Sequence, residues 1–185
     1  MRTFIAVDIS PEIRQKAVEI IGQLEELGAD VKFTEPENLH FTLKFLGEVS
    51  DDRVNEITDV VSAALAKNSF RQFRISVDGL GYFGNPGHIK TLWIDTGEGR
   101  EDLVKLAGAL NASLDHVRHE DREPKPHITI GRLKSGRNRE ALLKKIEELK
   151  HVKLGHMDVK LVKLKQSVLS RKGPHYTDLK VFELA

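Results

Sequence analysis

The residues best suited to do chemistry are two histidines, each two positions ahead of a threonine and each set in an apolar run. They read His40-Phe41-Thr42-Leu43 and His127-Ile128-Thr129-Ile130, 87 positions apart. If each run is a strand, successive side chains alternate between faces, so His and Thr share a face at roughly 6.5 Å along the strand. Leu39, Phe41, Leu43 and Phe45 then look the other way into a core, as do Ile128 and Ile130. An imidazole and a hydroxyl at that spacing suit one tetrahedral anion. Two such strands facing each other set an imidazole on either side of one phosphate, with two hydroxyls on its oxygens. Imidazoles titrate near neutrality, so one can take a proton while the other gives one. A single H-x-T arises often by chance and usually marks a solvated histidine. The second copy in equivalent surroundings gives the pair its weight.

Composition narrows the chemistry. The chain has no cysteine, which excludes disulfides, thiolate nucleophiles and Cys-based zinc sites. Its 29 basic and 28 acidic residues leave a net charge of +1, so any anion site must be local rather than a general basic field. His116 and His119 lie in a charged stretch without an evident third ligand and read as solvated surface. Neither H-x-T motif offers the clustered carboxylates of a metal-dependent phosphatase or nuclease, and no metal or cofactor is expected. No apolar run reaches about 18 residues and no leader is evident, so a soluble cytoplasmic protein is expected; a monomer is expected separately, with no residue pattern that fixes it.

The elements that must position these groups follow from periodicity. Apolar strands are expected at 2–9, 39–46, 70–77, 90–95, 127–133 and 157–164, with a closing strand at 176–184 and a short one at 31–33. Ser10-Pro11 opens an amphipathic helix over 11–27, with Ile13, Ala17, Ile20, Ile21 and Leu24 on one stripe. Further helices are expected at 51–67, 100–116 and 137–150. Gly79, Gly81 and Gly84 partly match a dinucleotide fingerprint, but no helix follows, and 79–87 reads as a turn.

The order strand, helix, H-x-T strand, helix, strand occurs twice, over roughly 2–78 and 90–165. This predicts a single α+β domain over 1–185, built of two pseudo-symmetric lobes. Each lobe is a mostly antiparallel sheet backed by two helices, with the active-site cleft between them. Lys44 shares the strand parity of His40 and Thr42, although a solvated lysine is the commoner outcome.

The flanks of the two motifs carry a resemblance. Arg2-Thr3-Phe4-Ile5-Ala6-Val7, Glu37-Asn38-Leu39-His40-Phe41-Thr42-Leu43-Lys44-Phe45-Leu46-Gly47 and Lys125-Pro126-His127-Ile128-Thr129-Ile130-Gly131-Arg132 resemble the RNA 2′,3′-cyclic phosphodiesterases, historically called 2′-5′ RNA ligases, of the 2H phosphoesterase superfamily. Ser167-Val168-Leu169 and Tyr176 fit as well. The resemblance implies metal-independent opening of a 2′,3′-cyclic phosphate at an RNA end to a 2′-phosphate, and a 2′-5′ joining of tRNA halves in vitro. It implies His40 and His127 as acid and base, Thr42 and Thr129 on the phosphate, and an Arg nearby, here Arg132. Simple parity turns Arg132 away from His127 unless Gly131 permits a bulge. Phe4, Tyr82, Phe83 and Tyr176 are candidates to stack on a terminal base, and Arg71, Arg74, Arg118, Arg122, Lys125, Arg137 and Arg139 to line an RNA rim. A phosphodiesterase for a small cyclic or 2′-5′-linked nucleotide and a non-catalytic RNA-end binding module remain the alternatives.

Overall fold

A computed structural model describes all 185 residues. In chain order the elements are β1 (Arg2–Asp8), α1 (Pro11–Glu25), β2 (Val31–Phe33), a 3-10 turn (Pro36–Asn38), β3 (His40–Glu48), α2 (Arg53–Lys67), β4 (Phe73–Asn85), β5 (His88–Thr96), α3 (Arg100–Ser113), β6 (Ile128–Leu133), α4 (Arg139–Leu149), β7 (Lys153–Val159), β8 (Leu161–Ser170) and β9 (Gly173–Glu183). All strand pairs are antiparallel, in the order β7-β4-β5-β6-β3-β1-β8-β9, with β2 added beside β6. This is the expected α+β architecture of two sheet halves and four helices.

The helices form where the apolar spacing demands them. Ser10 caps α1 by accepting from the Ile13 amide at 3.3 Å, and Pro11 occupies the first turn, where its missing N–H costs nothing. The stripe Ile13, Ala17, Ile20, Ile21, Leu24 is buried throughout. In α3 the buried stripe is Leu103, Leu106, Ala107 and Leu110. Helix α3 lies on β3 and against α2, while α1 packs on β7 and α4 on β4. Phe41 and Ile128 point into this helix-covered core, which runs unbroken through both halves. The other sheet face is left for His40, Thr42, His127 and Thr129.

The halves in space are not the halves in sequence. Strand β4 pairs with β5 and β7 beside the second motif, although the repeat places 70–77 with the first. The first half is closed instead by β8 on β1 and β9 on β8. The stretch 157–164 is two elements, with β7 ending at Val159 and β8 starting at Leu161. The expected turn at 79–87 is mostly strand, and only Pro86 and Gly87 turn the chain. Gly81 sits in that strand because Trp93 packs across it. A Cβ there would run into the indole ring.

Candidate active site

The two motif strands meet at one pair, Phe41 opposite Ile128. These are the middle residues of the two H-x-T motifs. Antiparallel register then sets His40 opposite Thr129 and Thr42 opposite His127 on the open face. The two histidines are diagonal neighbours in this square, about 7–8 Å apart at the backbone. The field of a protonated His127 reaches His40 and disfavours charging it.

Both rings are held the same way. His40 Nδ1 lies 2.6 Å from the carbonyl of Asn38, and His127 Nδ1 lies 2.6 Å from the carbonyl of Lys125. A carbonyl only accepts, so each Nδ1 carries hydrogen and each Nε2 is the working nitrogen. His40 Nε2 lies 2.9 Å from Thr42 Oγ1, which donates to it when the ring is neutral.

Each motif strand carries a bulge just past its threonine. Pairing skips Leu43 in β3 and Ile130 in β6. A bulge reverses the side-chain parity beyond it. In β6 this turns Arg132 to the face of His127 and Thr129, where its Nη1 donates to Thr91 Oγ1 at 3.1 Å. Its positive charge is felt by His127 and by Tyr176 of the opposite half, as expected for a cation over the cleft. Gly131 is required here, since a Cβ would lie 2.7 Å from Val31 as β2 closes on β6. In β3 the same device reverses two expectations. Lys44 leaves the cleft face, is 1% exposed, and donates from Nζ to the Arg118 carbonyl at 2.8 Å. Phe45, expected in the core, is 47% exposed and lies 6.3 Å from the Phe4 ring. Phe45 thus occupies in the first half the position that Arg132 occupies in the second.

Around these groups lie three of the expected stacking aromatics, Phe4, Phe83 and Tyr176, together with Asn38 and Asp8, for which the motifs suggest no role. Asn38 is 6% exposed, and its side chain donates to the Pro174 carbonyl at 2.8 Å. It therefore ties the β8–β9 hairpin to the residue whose own carbonyl fixes His40. Tyr176 of that hairpin stands edge-on to His40 at 5.4 Å and to Phe4 at 4.9 Å, and Phe4 lies 5.0 Å from His40. In the other half Phe83 stands edge-on to His127 at 4.9 Å and packs on Trp93 at 5.5 Å. Asp8, opposite His40 in the sheet, closes a four-charge ring with Lys163, Lys165 and Asp178 at 2.7–3.0 Å. The signal for these residues is positional: Asn38 and Lys125 each precede a motif histidine by two.

Burial depresses both histidines below the ordinary imidazole value, His40 behind its aromatic neighbours and His127 more openly. The bond to each upstream carbonyl acts the other way, as do Asp8 on His40 and Asp95 on His127. Burial also pushes the Tyr176 hydroxyl up. Asp8 and Asp178 are lowered: burial opposes the shift, but the hydrogen bonds and charges of Lys163 and Lys165 outweigh it. Away from the cleft, exposed His116 pairs with Glu56 at 3.0 Å, and His119 bridges Asp115 and Asp121 at 2.6 Å each. Tyr82 is half-buried against the core. No helix is long and apolar enough to cross a membrane.

Known proteins are similar to this chain in sequence and in fold. The description of the 2′-5′ RNA ligase superfamily matches residues 11–166. The chain is 40% identical over 185 residues to an RNA 2′,3′-cyclic phosphodiesterase of Methanothermobacter thermautotrophicus, covering 100% of this chain and 99% of that one. It is 39% identical to a protein of the same name from Archaeoglobus fulgidus, covering 99% and 100%. Among solved structures, TT0787 of Thermus thermophilus superposes with a TM-score of 0.81 at 29% identity, over 100% of this chain and 98% of that one. Apo LigT of E. coli superposes with a TM-score of 0.74 at 25% identity, over 98% and 96%. With its paired H-x-T strands and this extent of similarity, the chain belongs to the 2′-5′ RNA ligase superfamily.

Proposed function

We propose that this protein hydrolyses the 2′,3′-cyclic phosphate at an RNA end to a 2′-phosphate and a free 3′-hydroxyl, without a metal ion. The observation that carries this reading is the square of two imidazoles and two hydroxyls on one sheet face, with both rings in the same Nδ1–H tautomer. The names of the full-length relatives support the substrate class.

The phosphorus sits between the two Nε2 atoms. His127 takes a proton from water, whose oxygen bonds to phosphorus as the bond to O3′ breaks. His40 gives its proton to that departing oxygen. The greater openness of His127 and the enclosure of His40 by Phe4 and Tyr176 support this direction. Thr42, Thr129 and Arg132 hold the non-bridging oxygens, where charge builds. Asn38 and Lys125 keep each ring from turning. Replacing water by the 5′-hydroxyl of a second RNA gives a 2′-5′ linkage by the same displacement, the step that joining of tRNA halves in vitro would use. A monomer is proposed as the active unit, since both motifs and Arg132 converge within a single chain.

Incubation of a cyclic-phosphate-ended RNA with the protein in EDTA tests the reading. Product carrying a 2′-phosphate is expected. Activity that vanishes in EDTA and returns with a divalent ion would refute the metal-free mechanism. Tight binding without product would favour an RNA-end binding module.

A further inference from the structure

The open face of β6 does not end its chemistry at Arg132. Lys32 of β2 is directly opposite Arg132 in the antiparallel ladder, so the two cations leave the same face with Cβ atoms about 4.5–5.5 Å apart. Like charges at such a position destabilise a strand pair unless something neutralises them. Neither takes part in an ion pair with a carboxylate, and Lys32 is exposed. The Thr91 hydroxyl engages only Nη1 of Arg132, so the remaining guanidinium donors are uncommitted. The chain as a whole is nearly neutral, at +1, so this doubled charge is a local feature.

Its place is also specific. Strand β2 pairs with β6 at residues 131–133, beyond the single point where β3 touches β6. Thr129 and Arg132 oppose Trp93 and Thr91, two residues apart on β5, so they stand roughly 6.5–7 Å apart along the open face. The order along the cleft is His127, Thr129, then the Lys32–Arg132 pair. A chain held at His127 by its terminal phosphate meets this pair as it leaves the site.

We propose that Lys32, with Arg132, forms a second anion subsite that takes the phosphodiester immediately before the reacting end, making a strand rather than a lone nucleotide the preferred substrate. This rests on the reading that a cyclic phosphate is bound between the two imidazoles. Arg132 is shared between the reacting phosphate and the next one. Lys32 serves only the second.

The test compares the protein and its Lys32→Ala and Lys32→Glu variants on three compounds. These are a nucleoside 2′,3′-cyclic phosphate, the same compound with a 5′-phosphate, and a dinucleotide with a 2′,3′-cyclic end. The ratio of kcat/KM for the dinucleotide over the plain cyclic nucleotide should fall at least about fivefold in Lys32→Ala and further in Lys32→Glu. The dependence of log kcat/KM on log salt for the dinucleotide should become shallower by about 0.7, the loss of one phosphate contact on a single strand. Equilibrium binding of the dinucleotide to a His127→Ala background should weaken by the same factor, whether or not turnover occurs. An unchanged ratio with unchanged binding would overturn the proposal. So would a loss confined to the 5′-phosphorylated nucleotide, which would assign the subsite to a free nucleotide phosphate. Failure of the unaltered protein to turn over any compound would instead count against the catalytic reading, and the binding arm would still decide the role of Lys32.

Discussion

Phe41 and Ile128 are the single residue pair that joins the two sheet halves through their motif strands, and each is the middle residue of an H-x-T motif. The covalent spacing of each motif and the contact between the halves are therefore set at one point. Both side chains are fully buried. Phe41→Ala should cost about 3–5 kcal/mol in chemical denaturation, the usual range for a deleted core aromatic. It should also lower kcat in the fraction that stays folded, because the square of His and Thr loses its brace. A variant of unchanged stability and activity would show that the two halves are held in register elsewhere.

The carbonyl and side chain of Asn38 do different jobs, and substitution separates them. Asn38→Ala keeps the carbonyl that holds His40 but leaves the Pro174 carbonyl without its donor. An unpaired acceptor of this kind costs about 1–3 kcal/mol. Loss of stability with a fall in kcat on a cyclic nucleotide is expected, since Tyr176 and the hairpin no longer enclose His40. Denaturation and steady-state kinetics on one preparation read both effects.

How far the chain discloses this arrangement is clear from β3. The motif itself was legible, because alternation sets His40 and Thr42 on one face with Phe41 behind. Leu43 is buried as expected, but the two residues after it were not legible. Lys44 and Phe45 exchange their expected faces because the ladder skips Leu43, and nothing in the local pattern of apolar and polar residues marks a bulge. In β6 the equivalent bulge was foreshadowed only by Gly131. The helices were legible from their stripes, to within two or three residues at their ends. Gly79, Gly81 and Gly84 misled because each serves a close approach or a special backbone angle within a strand, as Gly81 does for Trp93. The spatial pairing of β4 with the second half and of β8 and β9 with the first is a long-range choice, invisible to periodicity.

Gly81 offers a separate test of the second half. Gly81→Ala forces Trp93 to move, and Trp93 supports Phe83, which stands against His127. Overpacking of this kind costs about 1–3 kcal/mol. Activity should fall more than stability alone explains, with tryptophan fluorescence shifted. Unchanged fluorescence and kinetics would show that the indole does not position His127.

The pH dependence follows from burial. Both imidazoles titrate below the ordinary value of 6.5. Between its folded value and 6.5 each binds fewer protons folded than unfolded, so stability rises with pH across that window and is lost as pH falls through it. His40→Ala should flatten this slope in denaturation curves taken on the acid side of pH 6.5. For turnover one ring of the pair must keep its proton, so the descending limb of kcat/KM belongs to the coupled pair and should lie below pH 6.5. A descending limb centred above pH 7 would contradict the burial of the free site.

The most direct measurement is product analysis of a cyclic-phosphate-ended RNA incubated with the unaltered protein, His40→Ala and His127→Ala, each shown folded by circular dichroism. The unaltered protein should leave only a 2′-phosphate, and each variant should lose at least about 10²-fold in kcat. Either variant retaining full activity, or a product carrying a 3′-phosphate, would contradict a mechanism in which the two imidazoles act across one phosphorus.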